Sequence, residues 1–520
     1  MRLNRTGNAK RNIIFGVLLN VCKMIAPFIL RTIMIYTLGV EYLGLGSLFA
    51  SILQVLNLAE LGAGSAMVYA IYKPIAEDDI ETTCAYLRLF KKYDFAIGTI
   101  IAVLGLAATP FIPCLIKGDI PEDINVCILF LLNLAVTVSS YWGFAYRSCV
   151  ASAYQRIDIL NKIDIITFLA QCVLQAIGLL LFKNYYFYTL VYVLAQIMNN
   201  VLIGVAMNRK FPQITPRGVL RPEAVREMNR RIGALFTDKI GTVVVDSADT
   251  IVISAFLGLS ALAVYQNYSF VVMTILAFVS VIFRACLAGI GNSIIVETKQ
   301  KNYADFELLT FIIIWIAGFC TACFLCLFQP FMEIWVGKDL MLSFPMVICF
   351  CVYYFIYEVN QLLNSYKDAA GIWQKDRFRP LVTALSNLTL NLLMVNKLGL
   401  FGILLSTILA MLLVGIPWLI HNLFSEVFDR GKMLPYVKKL LWYVSCAAGS
   451  SVATYLICDL VRLEGIGLLL CRVVLCCIIP NVCFLVLFHR KAEFVQALQL
   501  ADILTNGKLM KWLKKERGHS

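Results

Sequence analysis

Lys23 and Arg31 stand eight positions apart inside the apolar stretch Asn12–Leu38, NIIFGVLLNVCKMIAPFILRTIMIYTL. The stretch is long enough to cross a bilayer. A cation near the middle of such a helix costs about 2.5–3.5 kcal/mol on insertion scales. With about 100° per residue, the two side chains point to broadly one side. That side is expected to face a water-filled or protein-lined cavity, and a cation-lined cavity suits an anionic substrate. The alternative is that each cation pairs with a carboxylate on another helix and holds the bundle together.

A second charged helix is read from 234 to 257, with Asp238 and Lys239 near its inner end and Asp246 and Asp249 deeper. Asp246 and Asp249 are three apart and share a helix face, with Lys239 seven earlier on the same face. Intramembrane carboxylates can bind Na⁺ or carry a proton, as ion-coupled transport requires. They can equally serve as counter-ions to Lys239, Arg31 or Arg284. Glu60 and Glu358 are further candidates for coupling or pairing. Arg284, within FVSVIFRACLAGIGNS, either lines a cavity or snorkels to the interface. Arg472 either serves a peripheral groove or pairs and snorkels. Asn133, Gln171, Gln175, Asn360, Gln361, Asn364, Asn387 and Asn391 suit hydrogen bonds to sugars or between helices.

Other chemistries find no support. Cys320, Cys323 and Cys326 have a metal-like spacing, but they lie in IIIWIAGFCTACFLCLF and read as small apolar packing residues. An iron–sulfur cluster would need a fourth thiolate. His421, His489 and His519 are too scattered for a zinc constellation, so no metal or cofactor is expected beyond a coupling Na⁺ or H⁺. The 18 cysteines lie almost all in apolar runs and do not form a disulfide framework. The glycine pairs Gly44/Gly46, Gly62/Gly64 and Gly289/Gly291 sit at helix ends, not in a strand–turn–helix nucleotide site. The outward loops are too short for a catalytic domain, so the chain does not read as an enzyme. Nor does it read as a partner of nucleic acid.

The elements that must position these residues are membrane helices. The chain has 520 residues, 60% of them hydrophobic and 15% charged, with a mean hydropathy of +0.80. Apolar runs are expected near 12–38, 45–69, 95–116, 124–146, 163–182 and 185–207, then 234–257, 262–290, 306–328, 344–364, 381–398, 401–423, 440–458 and 465–488. That gives an all-α polytopic membrane protein with about fourteen transmembrane helices. A lobe of six (1–208) precedes a basic linker (209–232) that holds Pro212, Pro216 and Pro222. A second lobe of six (233–424), a helix pair (425–488) and an amphipathic basic tail (489–520) follow. Most of the 45 Lys and Arg fall in the N-terminus, the tail and alternate loops, which puts both termini in the cytoplasm. The basic start leads into a span with no small-residue cleavage site, so it is expected to be retained. The lobes open alike: Thr32-Ile-Met-Ile-Tyr-Thr-Leu-Gly resembles Thr250-Ile-Val-Ile-Ser-Ala-Phe-Leu-Gly. Parallel repeats of this kind are one common transporter plan, with substrate between the halves.

The opening segments RNIIFGVLLN and RTIMIYTLGVEYLGLGSLFASILQVLNLAELGAGSAMVYAIYKPIAEDD resemble the bacterial polysaccharide (oligosaccharide) exporter family. That family belongs to the multidrug/oligosaccharidyl-lipid/polysaccharide (MOP) superfamily. The match covers about residues 1 to 95, and the helix count carries it further. The resemblance implies a flippase for undecaprenyl-pyrophosphate-linked oligosaccharides in the bacterial cytoplasmic (inner) membrane. It would work by alternating access and serve cell-surface polysaccharide biosynthesis beside glycosyltransferases or a glycan polymerase. The related lipid II flippases have essential arginines in their first and eighth helices, and Lys23, Arg31 and Arg284 match by position. Lys23 is a departure, because lysine supplies charge without the bidentate fork. Competing readings are a cation-coupled multidrug antiporter of the same superfamily, a membrane glycan polymerase or ligase, and a scaffold for the glycan machinery.

Overall fold

The computed structural model describes residues 5–60, 63–118 and 120–504, without the side chains of 5–10, 13, 59, 65, 231, 234–242, 244–246, 284, 285, 288, 501, 503 and 504. Every regular element among the described residues is helical. The helices are α1 (Arg5–Thr37), α2 (Val40–Leu56), α3 (Ala63–Ala76), α4 (Ile80–Ala108), α5 (Val126–Tyr141), α6 (Ser148–Ala153), α7 (Ile157–Leu181), α8 (Tyr185–Lys210) and α9 (Pro222–Leu257). They continue as α10 (Leu259–Val296), α11 (Lys299–Val336), α12 (Phe344–Ala369), α13 (Trp373–Asp376), α14 (Arg379–Ala410), α15 (Ile416–Glu426), α16 (Met433–Asp459), α17 (Gly465–Phe488) and α18 (Ala492–Leu504). Ten of these segments are long and apolar enough to cross a membrane among the described residues, or eleven if α5 and α6, bent by 42°, form one span. The chain is a multi-pass membrane protein.

The helix boundaries follow local chemistry. Asp79 accepts from Thr82 N (2.9 Å), Asn184 from Phe187 N (3.0 Å) and Thr298 from Lys301 N (3.3 Å), each satisfying a first-turn donor that no intrahelical carbonyl can reach. Pro222 opens α9, where its missing N–H costs nothing. Gly39 (φ 119°, ψ 171°) and Gly258 (φ 92°, ψ 176°) share one left-handed extended conformation, which lets α2 and α10 begin at once after α1 and α9. The two segments that match in sequence thus end in the same backbone turn.

One expectation needs correction. The run 45–69 is not one helix: α2 stops at Leu56, a 3₁₀ turn spans Asn57–Glu60 and α3 begins at Ala63. Asn57 and the glycines that follow are weak helix formers, and the Glu60 side chain is drawn to Tyr141 on α5. The runs 381–398 and 401–423 do lie on either side of a break at Gly399 (φ 56°, ψ −137°), but the second contains a π turn at Met411–Gly415 before α15.

By contacts the chain forms two compact units. The first comprises 1–266 with 391–400, and the second 267–390 with 401–520. Within the first, α1 packs on α7, α7 on α8, α5 on α4 and α8, and α2 on α9. Asn12 fastens the start of α1 to the start of α7: it donates to the Gln155 carbonyl (3.1 Å) and accepts from Asp158 N (2.8 Å). Arg156 clasps the buried Asp158 with two bonds of 2.8 and 3.1 Å. Within the second unit, α11 is the central helix, against α12, α16, α17 and α18. Its core is aromatic: Phe306 stacks on Phe428 and on Tyr436, both at 4.8 Å, and Phe311 meets Phe488 edge-on at 5.2 Å.

Candidate functional site: buried charge in the membrane helices

In the first unit Arg31 is half-buried on α1, and its Nη1 donates to the Gln266 carbonyl of α10 at 3.5 Å. The Gln266 side chain donates to Thr250 Oγ1 (3.0 Å), and Asp249, the residue before, accepts from Asn391 Nδ2 (2.6 Å). Arg31 is therefore joined through Gln266 to Thr250, the residue after Asp249. The Tyr188 hydroxyl of α8 stands near enough to Arg31 to feel its charge. Tyr188 stacks on Tyr185 (5.6 Å), Tyr185 meets Tyr42 edge-on (5.3 Å), and Tyr42 donates to Asp123. A file of three tyrosines thus leads from Arg31 to the turn before α5. Sequence reasoning missed it, although Tyr185 and Tyr188 at i, i+3 share a helix face.

Lys23 is exposed on α1. Pro27, four residues on, has no N–H for the Lys23 carbonyl, so α1 is loosened between the two cations. The side chains of Lys239 and Asp246 on α9, of Arg284 on α10, and of Asp238 lie outside the described residues.

Glu60 accepts a hydrogen bond from Tyr141 Oη. Beside them on α4 is Asp94, 5% exposed, which both Glu60 and Tyr141 feel electrostatically. Asp94 ends the charged run LRLFKKYD and reads in sequence as the last residue of an interfacial loop. The structure makes that loop the first turns of α4 and turns Asp94 inward.

Glu358 on α12 lies in the second unit, 1% exposed. The Tyr354 hydroxyl one turn earlier and the Cys320 thiol of α11 stand beside it. Neither carboxylate oxygen completes a hydrogen bond of good geometry among the described residues. The contrast is Asp376, which accepts from Arg379 Nε (2.8 Å) and Asn422 Nδ2 (3.1 Å) and pairs with Lys367 (3.5 Å). Asp376 is fully satisfied and structural, whereas Glu358 has capacity to spare.

The amides read as sugar contacts are in large part committed within the protein. Asn387 donates to Thr407 (2.8 Å), Asn364 accepts from Arg379 (2.8 Å), Gln175 donates to the Tyr188 carbonyl (3.1 Å) and Asn133 to the Leu129 carbonyl (2.8 Å). Arg472 donates to the Cys326 carbonyl at 3.1 Å. Among the described residues, Cys326, Cys458 and Cys476 from three helices of the second unit stand close enough together to hold a metal. An apolar groove of about 820 Å³ runs along the same unit, lined by Leu325, Val352, Phe355, Leu412 and Leu441 among others.

These features define a polytopic α-helical membrane protein that keeps charged side chains on its membrane helices. No protein-family model matches the chain, and no curated protein sequence does. Solved structures do match. The lipid II flippase MurJ in an inward closed conformation superposes with a TM-score of 0.67 at 15% identity, covering 92% of this chain and 99% of that one. An inward-facing multidrug resistance MATE family transporter of the MOP superfamily gives 0.62 at 13% identity, covering 82% of this chain and 99% of the other. A mutant of the Vibrio cholerae MATE transporter VcmN gives 0.54 at 16% identity, covering 81% of this chain and 98% of that one. At these identities what is shared is the path of the backbone. The chain shares the backbone fold of these transporters.

Proposed function

We propose that this chain is an exporter that moves undecaprenyl-pyrophosphate-linked oligosaccharides across the bacterial cytoplasmic membrane by alternating access, for cell-surface polysaccharide synthesis. The observation that carries the reading is Arg31, a guanidinium kept on the first membrane helix and fastened by the Gln266 carbonyl. On this reading the guanidinium is the group that meets the pyrophosphate, in paired, charge-assisted bonds. Lys23 and, on this reading, Lys239 and Arg284 supply further positive charge. The polyprenyl chain stays in lipid, and the apolar groove of the second unit suits it in chemistry. Asp249, Asp246, Glu60 and Glu358 are the groups through which Na⁺ or H⁺ would drive the cycle. The break at Gly399, the bent pair α5–α6, the short helix α2 and the apolar end of α9 (Ser247–Leu257) would bring the ten spans to fourteen, the even number that two termini on one side require. Glycosyltransferases or a glycan polymerase would act before and after it.

The test is reconstitution of the full chain in liposomes with a labelled lipid-linked oligosaccharide. Translocation that is lost in Lys23→Ala/Arg31→Ala while the variant still inserts supports the reading; undiminished transport in that variant sinks it. A second reading, a cation-coupled multidrug antiporter, draws on Glu358, an enclosed carboxylate of the kind that would bind cations. Drug resistance conferred by the wild type and lost in Glu358→Gln, without oligosaccharide flipping, would establish it instead.

A further inference from the structure

Pro330 lies four residues after Cys326 on α11, and Pro480 lies four after Cys476 on α17. A proline has no N–H, so the carbonyl four residues before it loses its helical donor. Both helices are therefore loosened at a cysteine. Cys458 sits in the last turn of α16, where carbonyls also run out of intrahelical partners. The three thiols converge at this place. Their sulfurs all lie within 4.8 Å of one another, and all three residues are 0% exposed. Cys323, one turn before Cys326, reaches the Cys476 thiol as well.

Arg472 precedes Cys476 by one turn on α17. Its Nη1 takes the Cys326 carbonyl that Pro330 leaves free, at 3.1 Å. Its Nε is enclosed with no hydrogen-bond partner among the described residues. Its charge is felt by both Cys458 and Cys476. Neutral thiols packed as small apolar groups would leave that cation facing weak dipoles. Thiolates on a divalent metal would answer it.

The geometry points to a zinc site inside the second unit, with Cys326, Cys458 and Cys476 as thiolate ligands, a neutral donor in the fourth position and Arg472 as counter-charge. At a Zn–S distance of about 2.3 Å, tetrahedral ligand sulfurs stand about 3.8 Å apart, inside the observed span. Zn²⁺ with three thiolates carries one negative charge, which the guanidinium cancels, so the group as a whole is neutral within the membrane helices. Copper(I) with the same three thiolates would leave an uncancelled charge. Each thiol gives its proton to solvent as its Zn–S bond forms, three protons per metal, and no oxidant is involved. The sequence hides the site because Cys458 and Cys476, the partners of Cys326, come from α16 and α17, far along the chain. The site ties the last helix pair to α11.

The experiment measures zinc and copper in the purified, detergent-solubilised full chain after a chelator wash and again after incubation with zinc. The wild type is expected to keep about one zinc per chain, and Cys458→Ser and Cys476→Ser at least ten-fold less, with Arg472→Lys keeping its zinc. Because a cysteine variant could fail to fold, cobalt is also loaded into the wild type, where thiolate-to-cobalt charge-transfer absorption is expected. Equal zinc in wild type and Cys476→Ser overturns the proposal. So does a wild type without zinc or the cobalt bands. So does a disulfide among these residues, seen as thiols that alkylate in denaturant only after reduction.

Discussion

Gly44 offers a measurement of how closely the opening helices of the first unit must approach. It is buried on α2, facing the first residue of α10. A Cβ at this position would stand 3.0 Å from the carbonyl carbon of Leu259 and 3.2 Å from its Cα, and closer still to the carbonyl oxygen. These are backbone atoms and cannot swing aside as a side chain would. Gly44→Ala therefore forces α2 from α10 by roughly an ångström, and overpacking of this kind costs about 1–3 kcal/mol. The strain does not stay local. Ser260 Oγ donates to Glu41 (2.9 Å) across the same contact, and Gln266, two turns further along α10, holds Arg31. Gly449→Ala on α16 is the control, because nothing lies within 4 Å of its Cβ and alanine favours a helix by about 1 kcal/mol. Thermal stability of the detergent-solubilised protein, followed by tryptophan fluorescence and by recovery of monodisperse protein after heating, is expected to fall by several degrees in Gly44→Ala. It is expected to hold or rise in Gly449→Ala, and the proposed transport should fall in the first variant alone. A Gly44→Ala protein with wild-type melting and transport would refute the close-approach argument, as would equal losses in both variants.

Arg31→Ala is expected to abolish transport and Arg31→Lys to retain a fraction, since lysine keeps charge but loses the fork and so about 1.5–3 kcal/mol of charge-assisted bonding, or ten- to a hundred-fold in rate; equal activity of the two would show that charge alone matters. Arg156→Ala leaves Asp158 without its ion-pair partner, at about 3 kcal/mol, the lower end of the usual range because Asp158 lies near the surface although none of it is exposed; thermal melting and expression level report it. Glu358→Gln should leave melting unchanged or raise it, because it removes a carboxylate that completes no good hydrogen bond, while Na⁺ or pH dependence of transport should weaken if this group couples. Asp249→Asn keeps a hydrogen-bond acceptor for Asn391 but removes the charge, so ion dependence should change more than stability, as paired transport and melting assays would show.

Hydropathy located the helices best where chemistry punctuates them sharply. The last long helix begins at Gly465 and ends at Phe488 as the apolar run does, and α9 begins at the third proline of the basic linker. The break after Leu56 was invisible because Asn57–Ala63 is apolar on average, and an average hides one carboxylate turned to a tyrosine on another helix. Of the charges on or beside the membrane helices, Arg31, Glu60, Asp249 and Glu358 were legible from their apolar surroundings. Asp94 was not, because it borders a run of lysines. The partners were not legible at all: the Gln266 carbonyl, Tyr141 and the cysteine triad are set by tertiary packing between distant helices, which no local spacing encodes.

The length of α11 has a practical consequence. Its 38 residues rise about 57 Å, while a bilayer's hydrocarbon core is about 30 Å thick. Roughly half of the helix must stand clear of the lipid tails. In electron micrographs of single particles within a nanodisc, such an overhang would break the likeness between the two faces of the disc. It would give side views a polarity by which images of a small membrane protein can be aligned.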